Sequence, residues 1–174
     1  MTIFIGGPSG AGKSAVARAL AGRGVSAIDT DVALAAWFTP DGHPVPAGAA
    51  DFDDPDWCDR HRWRWDPARA EAFLDDPAGP RFWCGFSSNM EDYADRFEAV
   101  LSLWVDAETM MARILNPRRT NPWGKDPAMR DKLLRDRVSQ YARLDAVGAV
   151  RIDASGPLDD VVDAVLAAAQ LNTL

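Results

Sequence analysis

Gly7-Pro8-Ser9-Gly10-Ala11-Gly12-Lys13-Ser14 is the stretch on which the reading of this chain turns. It matches GxxxxGK[ST], the pattern of a phosphate-binding loop, and its neighbours fit that pattern's context. Ile3-Phe4-Ile5 leads in as a buried apolar strand, and Ala15-Val16-Ala17-Arg18-Ala19-Leu20 leads out as a helix. The glycines let successive backbone N–H groups turn toward one anion, and the start of the helix adds the positive end of its dipole. Lys13 has the reach to meet β- and γ-phosphates, and the Ser14 hydroxyl suits Mg2+. Gly7 through Ala15 are therefore the expected phosphate contacts. A glycine turn that bound nothing would have no packing use for Lys-Ser at its end.

Working outward, strands and helices alternate. The expected strands are Thr2–Ile5, Val25–Ile28, Arg81–Gly85, Ala99–Val105 and Ala149–Ile152. Helices are expected over Lys13–Ala21, Val32–Phe38, Trp57–Trp65, Pro67–Leu74, roughly Met90–Arg96, Ala107–Leu115, Pro127–Ala146, and onward from Pro157. Asp106 is placed to cap the helix after it. Thr39 to Asp56 is rich in Pro, Gly and Asp and reads as an irregular excursion. Strands separated by helices imply parallel crossovers and a sheet covered on both faces. In such sheets ligands bind at the carboxyl ends of the strands. That rule gathers Gly7–Ser14, Asp29–Asp31, Gly85–Asn89 and Asp153–Gly156 at one edge.

Bulk properties narrow the classes. The 174 residues suit one domain spanning 1–174, and 47% hydrophobic residues are enough for a core. Twenty-six acidic residues against 19 basic ones give a net charge of -7, which argues against an extended nucleic-acid or anionic-membrane surface. No apolar run approaches the ~20 residues of a membrane span. Cys58 and Cys84 form no disulfide framework and no leader pattern is read, so a reducing, cytoplasmic setting is expected. His43 and His61 are too isolated to suggest zinc.

A nucleotide site also needs groups that organise Mg2+, place the acceptor and balance charge. Asp29 and Asp31, at i and i+2 just past the second strand, project in a similar direction. One can face the metal and the other an acceptor hydroxyl as its general base. The plainer alternative is a pair of helix caps ahead of Val32. The expected metal ligands are Ser14 and Asp29. Trp57, Trp63 and Trp65 alternate with basic residues, among them Arg62, and either clamp a flat or anionic acceptor or simply pack. Gly85, Ser87 and Asn89 stand at the mouth of the third strand. With Asp31, Arg62 and Trp63 they form the expected acceptor set. Arg118, Arg119 and Lys125 mark residues 116–126 as a basic loop, and Arg113 lies a turn or two before it.

The phosphate loop, Asp29-Thr30-Asp31 and the arginine loop together resemble the small P-loop kinases: shikimate, gluconate, nucleotide and nucleoside kinases. Arg81-Phe-Trp-Cys-Gly-Phe-Ser-Ser-Asn89, Arg119-Thr-Asn-Pro-Trp-Gly-Lys125 and Ile152-Asp-Ala-Ser-Gly-Pro-Leu158 resemble a bacterial branch of nucleotide-kinase-like ATP-binding proteins. The resemblance implies an α/β three-layer sandwich with a five-stranded parallel sheet in the order 2-3-1-4-5. It implies ATP and Mg2+ as cofactors, an acceptor segment inserted at 39–75, and a lid at 116–126. It makes Lys13, Asp29, Asp31 and Arg119 the catalytic set, with Arg113, Arg118, Ser155 and Gly156 as further nucleotide contacts. Shikimate kinases carry three glycines after strand three, where this chain has Gly85 followed by Phe86-Ser87-Ser88-Asn89, so shikimate itself is not expected. No Asn-Lys-x-Asp guanine signature is present.

The reading favours an ATP- and Mg-dependent phosphotransferase acting on a small metabolite, nucleoside, nucleotide or antibiotic. The alternative is a nucleotide-dependent switch or accessory ATPase acting on a protein partner. Nucleic acid and membrane are not expected partners, and either a monomer or a dimer is compatible with the sequence.

Overall fold

The computed structural model describes residues 2–46, 48–51, 53–121 and 123–171. Ala47 and Phe52 of the expected acceptor segment, Pro122 of the expected lid, and both chain ends lie outside the described residues.

Five strands make one parallel sheet: β1 (Ile3–Gly6), β2 (Ala27–Asp29), β5 (Phe82–Cys84), β6 (Ala99–Trp104) and β7 (Val150–Asp153). Their spatial order is β2-β5-β1-β6-β7. Counting the strands of this sheet alone, that is 2-3-1-4-5. The β1 side chains alternate between faces, as the pleat requires. Ile3 and Ile5 join Val16 and Leu20 of α1 (Lys13–Gly22) and Val162 and Val165 of α7 (Leu158–Leu171) on one side. Phe4 joins Trp83, Trp65, Phe97 and Leu144 on the other. These two apolar layers, one on each face of a buried sheet, are the core of the three-layer sandwich.

Between β2 and β5 the chain departs from expectation. Val32–Phe38 is not a helix. A short helix α2 (Thr30–Ala33) gives way to strand β3 (Ala35–Phe38). Trp57–Trp65 is not one helix either. Helix α3 (Pro55–Arg60), with Asp54 as its cap, is followed by strand β4 (Arg62–Trp65). β3 and β4 pair antiparallel, with Trp37 opposite Trp63 and Ala35 opposite Trp65. The physical reason lies in Arg62-Trp63-Arg64-Trp65, whose period of two suits a strand with one face buried. Trp65 is fully buried, whereas the Arg64 guanidinium lies 5.3 Å from the Phe38 ring centre. The remaining helices are α4 (Pro67–Asp75), α5 (Ala107–Ile114) and α6 (Pro127–Ala146). A 3-10 helix spans Met90–Arg96. Asp66, Asp106 and Asp126 cap α4, α5 and α6 through their carboxylates. No described helix is long and apolar enough to cross a membrane.

Candidate active site

The carboxyl ends of β1, β2 and β5 open into a cavity of ≈ 820 Å³. Its remaining walls come from β4, the segment after α5, and one face of α6.

The phosphate loop forms the floor. Gly12 holds φ at 107°, a conformation that favours glycine, and it caps α1 without any side-chain hydrogen bond. No acidic residue occupies the first turn of α1, so nothing anionic competes for its N–H groups. Lys13 is buried, and its ammonium donates to the Pro8 carbonyl at 3.0 Å. Burial lowers its pKa, opposed by the charges of Asp31 and then Asp29. A cation held in this way has one neutral partner and two carboxylates in its field. Gly7, Ser9, Gly10, Gly12, Ser14 and Ala15 line the cavity with it, whereas Pro8 and Ala11 do not.

Asp29 and Asp31 divide their work. Asp29 accepts the Asp31 N–H at 3.1 Å and so caps α2. Capping and cavity lining coincide here. Asp31 Oδ1 accepts from the Phe86 N–H at 3.2 Å and from Trp63 Nε1 at 3.4 Å. Its Oδ2 has no protein partner among the described residues. Burial raises the Asp31 pKa above 3.8, opposed by Lys13 and the Phe86 amide. Gly85 matters through its smallness. A Cβ there would fall 1.8 Å from Thr30 Oγ1, so only glycine lets α2 approach β5 closely enough to set Asp31 on the Phe86 amide.

The expected acceptor residues separate into two groups. Asp31, Arg62, Trp63 and Ser87 line the cavity; Gly85 and Asn89 do not. Asn89 instead clamps β4. Its Oδ1 accepts from the Trp65 N–H at 2.9 Å and from Ser87 Oγ at 3.1 Å, and its Nδ2 donates to the Trp65 carbonyl at 3.2 Å. Trp63 meets the cavity, Trp65 packs in the core, and Trp57 stacks on His61 with ring centres 3.8 Å apart.

The arginines also differ. Arg119 is half-buried, donates to the Trp123 carbonyl, and reaches Ser9 Oγ at 3.0 Å. It thus ties the segment after α5 to the phosphate loop. Arg113 bonds the carbonyls of Ala11 at 3.3 Å and Ala154 at 2.7 Å. Arg118 is exposed at the mouth. Ser155 and Gly156 are exposed and outside the wall, linked to it through Arg113, which lies 3.4 Å from the Ser155 carbonyl.

Several wall residues carried no signal in the sequence reading. Lys132, Asp136, Gln140 and Arg143 form a stripe on α6 at spacings of four, four and three. Lys132 pairs with Asp59 and, at 2.8 Å, with Asp136. Arg143 pairs with Glu91 and lies 5.1 Å from the Phe86 ring centre. Trp37 and Trp123 also line the cavity and stack at 5.6 Å, 15° from parallel.

No protein-family model matches the chain, and no curated protein does. Solved structures do resemble it. One, a gluconokinase from Sinorhizobium meliloti 1021, is 19% identical and aligns over 99% of this chain and 93% of that one, with a TM-score of 0.54. At that identity the likeness shows the P-loop α/β fold and not the acceptor.

Proposed function

We propose that this chain is a small-molecule kinase that transfers the γ-phosphate of ATP to a hydroxyl of a compact acceptor. The observation that carries the reading is the position of Asp31. It lines the same cavity as Lys13 and Ser14, is anchored through Oδ1, and keeps Oδ2 free of protein partners among the described residues. As the acceptor oxygen bonds to phosphorus, its proton passes to Asp31 and the bond from the γ-phosphorus to the β-γ bridging oxygen breaks, releasing ADP. Lys13 and Arg119 balance the charge that spreads over the moving group. The Ser14 hydroxyl and the Asp29 carboxylate are hard oxygen donors of the kind Mg2+ takes, and the metal would supply charge neutralisation at the phosphates. The nucleotide base has its place beyond Arg113, toward Ser155 and Gly156. This reading sets the chain among the small P-loop kinases, nearest the nucleotide-kinase-like branch, in a reducing compartment that keeps Cys58 and Cys84 as the free thiols they are.

A switch acting on a protein partner would use residues 39–65 as an outward surface. Against it, β3 and β4 fold onto the cavity and present Trp37 and Trp63 to it. The test is an acceptor screen with ATP and Mg2+, read by ADP release. Acceptor-dependent release that disappears in Asp31→Asn supports the kinase. Slow release that no acceptor accelerates, with ATP-dependent capture of a protein, would establish the switch.

A further inference from the structure

The charges on the cavity wall are distributed unevenly, and this bears on which acceptor the proposed kinase reaction would use. At the phosphate end stand Lys13, Arg18, Arg113, Arg118 and Arg119, none of them ion-paired with a carboxylate among the described residues. That is a site prepared for a polyanion. The acceptor end is different. Lys132 is held between Asp59 and Asp136, and Arg143 is held by Glu91. Gln140 lies between them on α6 and is neutral. Asp31 lines the same space, with Oδ2 free of protein partners among the described residues. Arg62 is the remaining cation there. It is exposed, and its guanidinium donates to the carbonyls of Asp59 at 2.9 Å and His61 at 3.1 Å. His61 stacks on Trp57, with Nδ1 2.8 Å from the Trp57 carbonyl. The cations of the acceptor end are thus matched or exceeded by Asp31, Asp59, Asp136 and Glu91. Between them Trp63 and Phe86 add aromatic side chains to the wall.

An anion entering this end would lose its hydration and gain only Arg62, an exposed cation already hydrogen-bonded to two carbonyls, and it would lie beside Asp31. A neutral or cationic hydroxyl compound would meet carboxylate and amide acceptors for its O–H and N–H groups. Resting on the kinase reading above, we infer that the acceptor is a ring-bearing alcohol with no negative charge, a nucleoside or an amino- or polyhydroxylated ring. It is not a sugar acid or a phosphate ester. Specificity here comes as much from rejecting anions as from holding the substrate.

The test uses the intact protein with ATP and Mg2+. Adenosine, cytidine, thymidine, myo-inositol and kanamycin are compared with gluconate, glucuronate, shikimate and AMP. ADP release reports turnover, and tryptophan fluorescence in the absence of ATP reports binding near Trp63. The expected result is at least a tenfold preference for a member of the first set. Glu91→Gln, an exposed position outside the catalytic set, frees Arg143 and is expected to raise the use of anionic members by about tenfold. An anion preferred by the native protein, or no gain for anions in Glu91→Gln, overturns the inference while leaving a kinase. If ATP binds yet no compound of either set alters fluorescence or ADP release, the kinase reading fails and this inference fails with it.

Discussion

Lys13 and Asp31 sit in one another's field, and their removal should separate binding from proton transfer. Lys13 is a buried cation with a single neutral hydrogen-bond partner, so the empty protein gains little from it. Lys13→Ala is therefore expected to leave the melting temperature within ~3 °C, because few native contacts are lost, and to lower kcat by roughly 10²–10³ through lost phosphate stabilisation. Calorimetry with Mg-ATP and a melting curve check both halves. In the proposed reaction Asp31 acts as base only when ionised. Burial holds its pKa above the ordinary 3.8, so activity should fall as pH drops through that raised value, with the ionised form dominant above it. Asp31→Asn should lower kcat by about 10²–10⁴ and remove this acid limb from the pH–rate profile. A profile of unchanged shape in the variant would assign the limb to another group.

The site depends on how closely its elements approach one another, and two positions control that approach. Gly85→Ala places a methyl group against Thr30 Oγ1 and must push α2 from β5. The expected cost is about 1–3 kcal/mol in denaturant unfolding, with a fall in kcat because Asp31 moves with α2. Asn89→Ala removes the clamp on Trp65 and leaves a buried N–H and carbonyl without their partner. A loss of about 1–3 kcal/mol is expected. Since β4 carries Trp63, the acceptor KM should rise more than the ATP KM; steady-state kinetics with each substrate varied would show the split. The sequence revealed these elements unequally. Gly7–Ser14, the strand before it and the helix after it obey local rules, so they were readable without knowing the rest. Arg62–Trp65 carried its strand signal openly, but the preceding Trp57–Arg60 turn favours a helix, and the boundary depends on β3 arriving as a partner. Asn89 was legible as polar and near the site, yet its amide serves Trp65, a contact that only the folded crossover creates.

Seen across the domain, the cavity is shared by parts far apart in the chain, and here the sequence was least informative. α6 is polar on most of its circumference, so Lys132, Asp136, Gln140 and Arg143 read as solvated residues until the sheet order turns that stripe inward. The same holds for Trp37 and Trp123, which are separated by about half of the chain yet stack face to face. Their contact joins the β3–β4 hairpin to the segment bearing Arg119, which is itself docked on Ser9. Nucleotide entry and exit must disturb this arrangement, since Arg119 lies over the loop that would hold the phosphates. An aromatic pair contributes about 0.5–1.5 kcal/mol beyond its burial. If the stack holds the lid shut, Trp123→Ala should speed nucleotide release by about 2- to 12-fold, at about 1.4 kcal/mol per factor of ten. The sheet core should melt nearly unchanged, because Trp123 is only partly buried and rests against the core rather than within it. Stopped-flow release of a fluorescent ATP analogue, alongside a melting curve, separates the alternatives. Faster release with an unaltered melting temperature identifies the stack as a latch, whereas a lowered melting temperature with native release rates makes it structural packing alone.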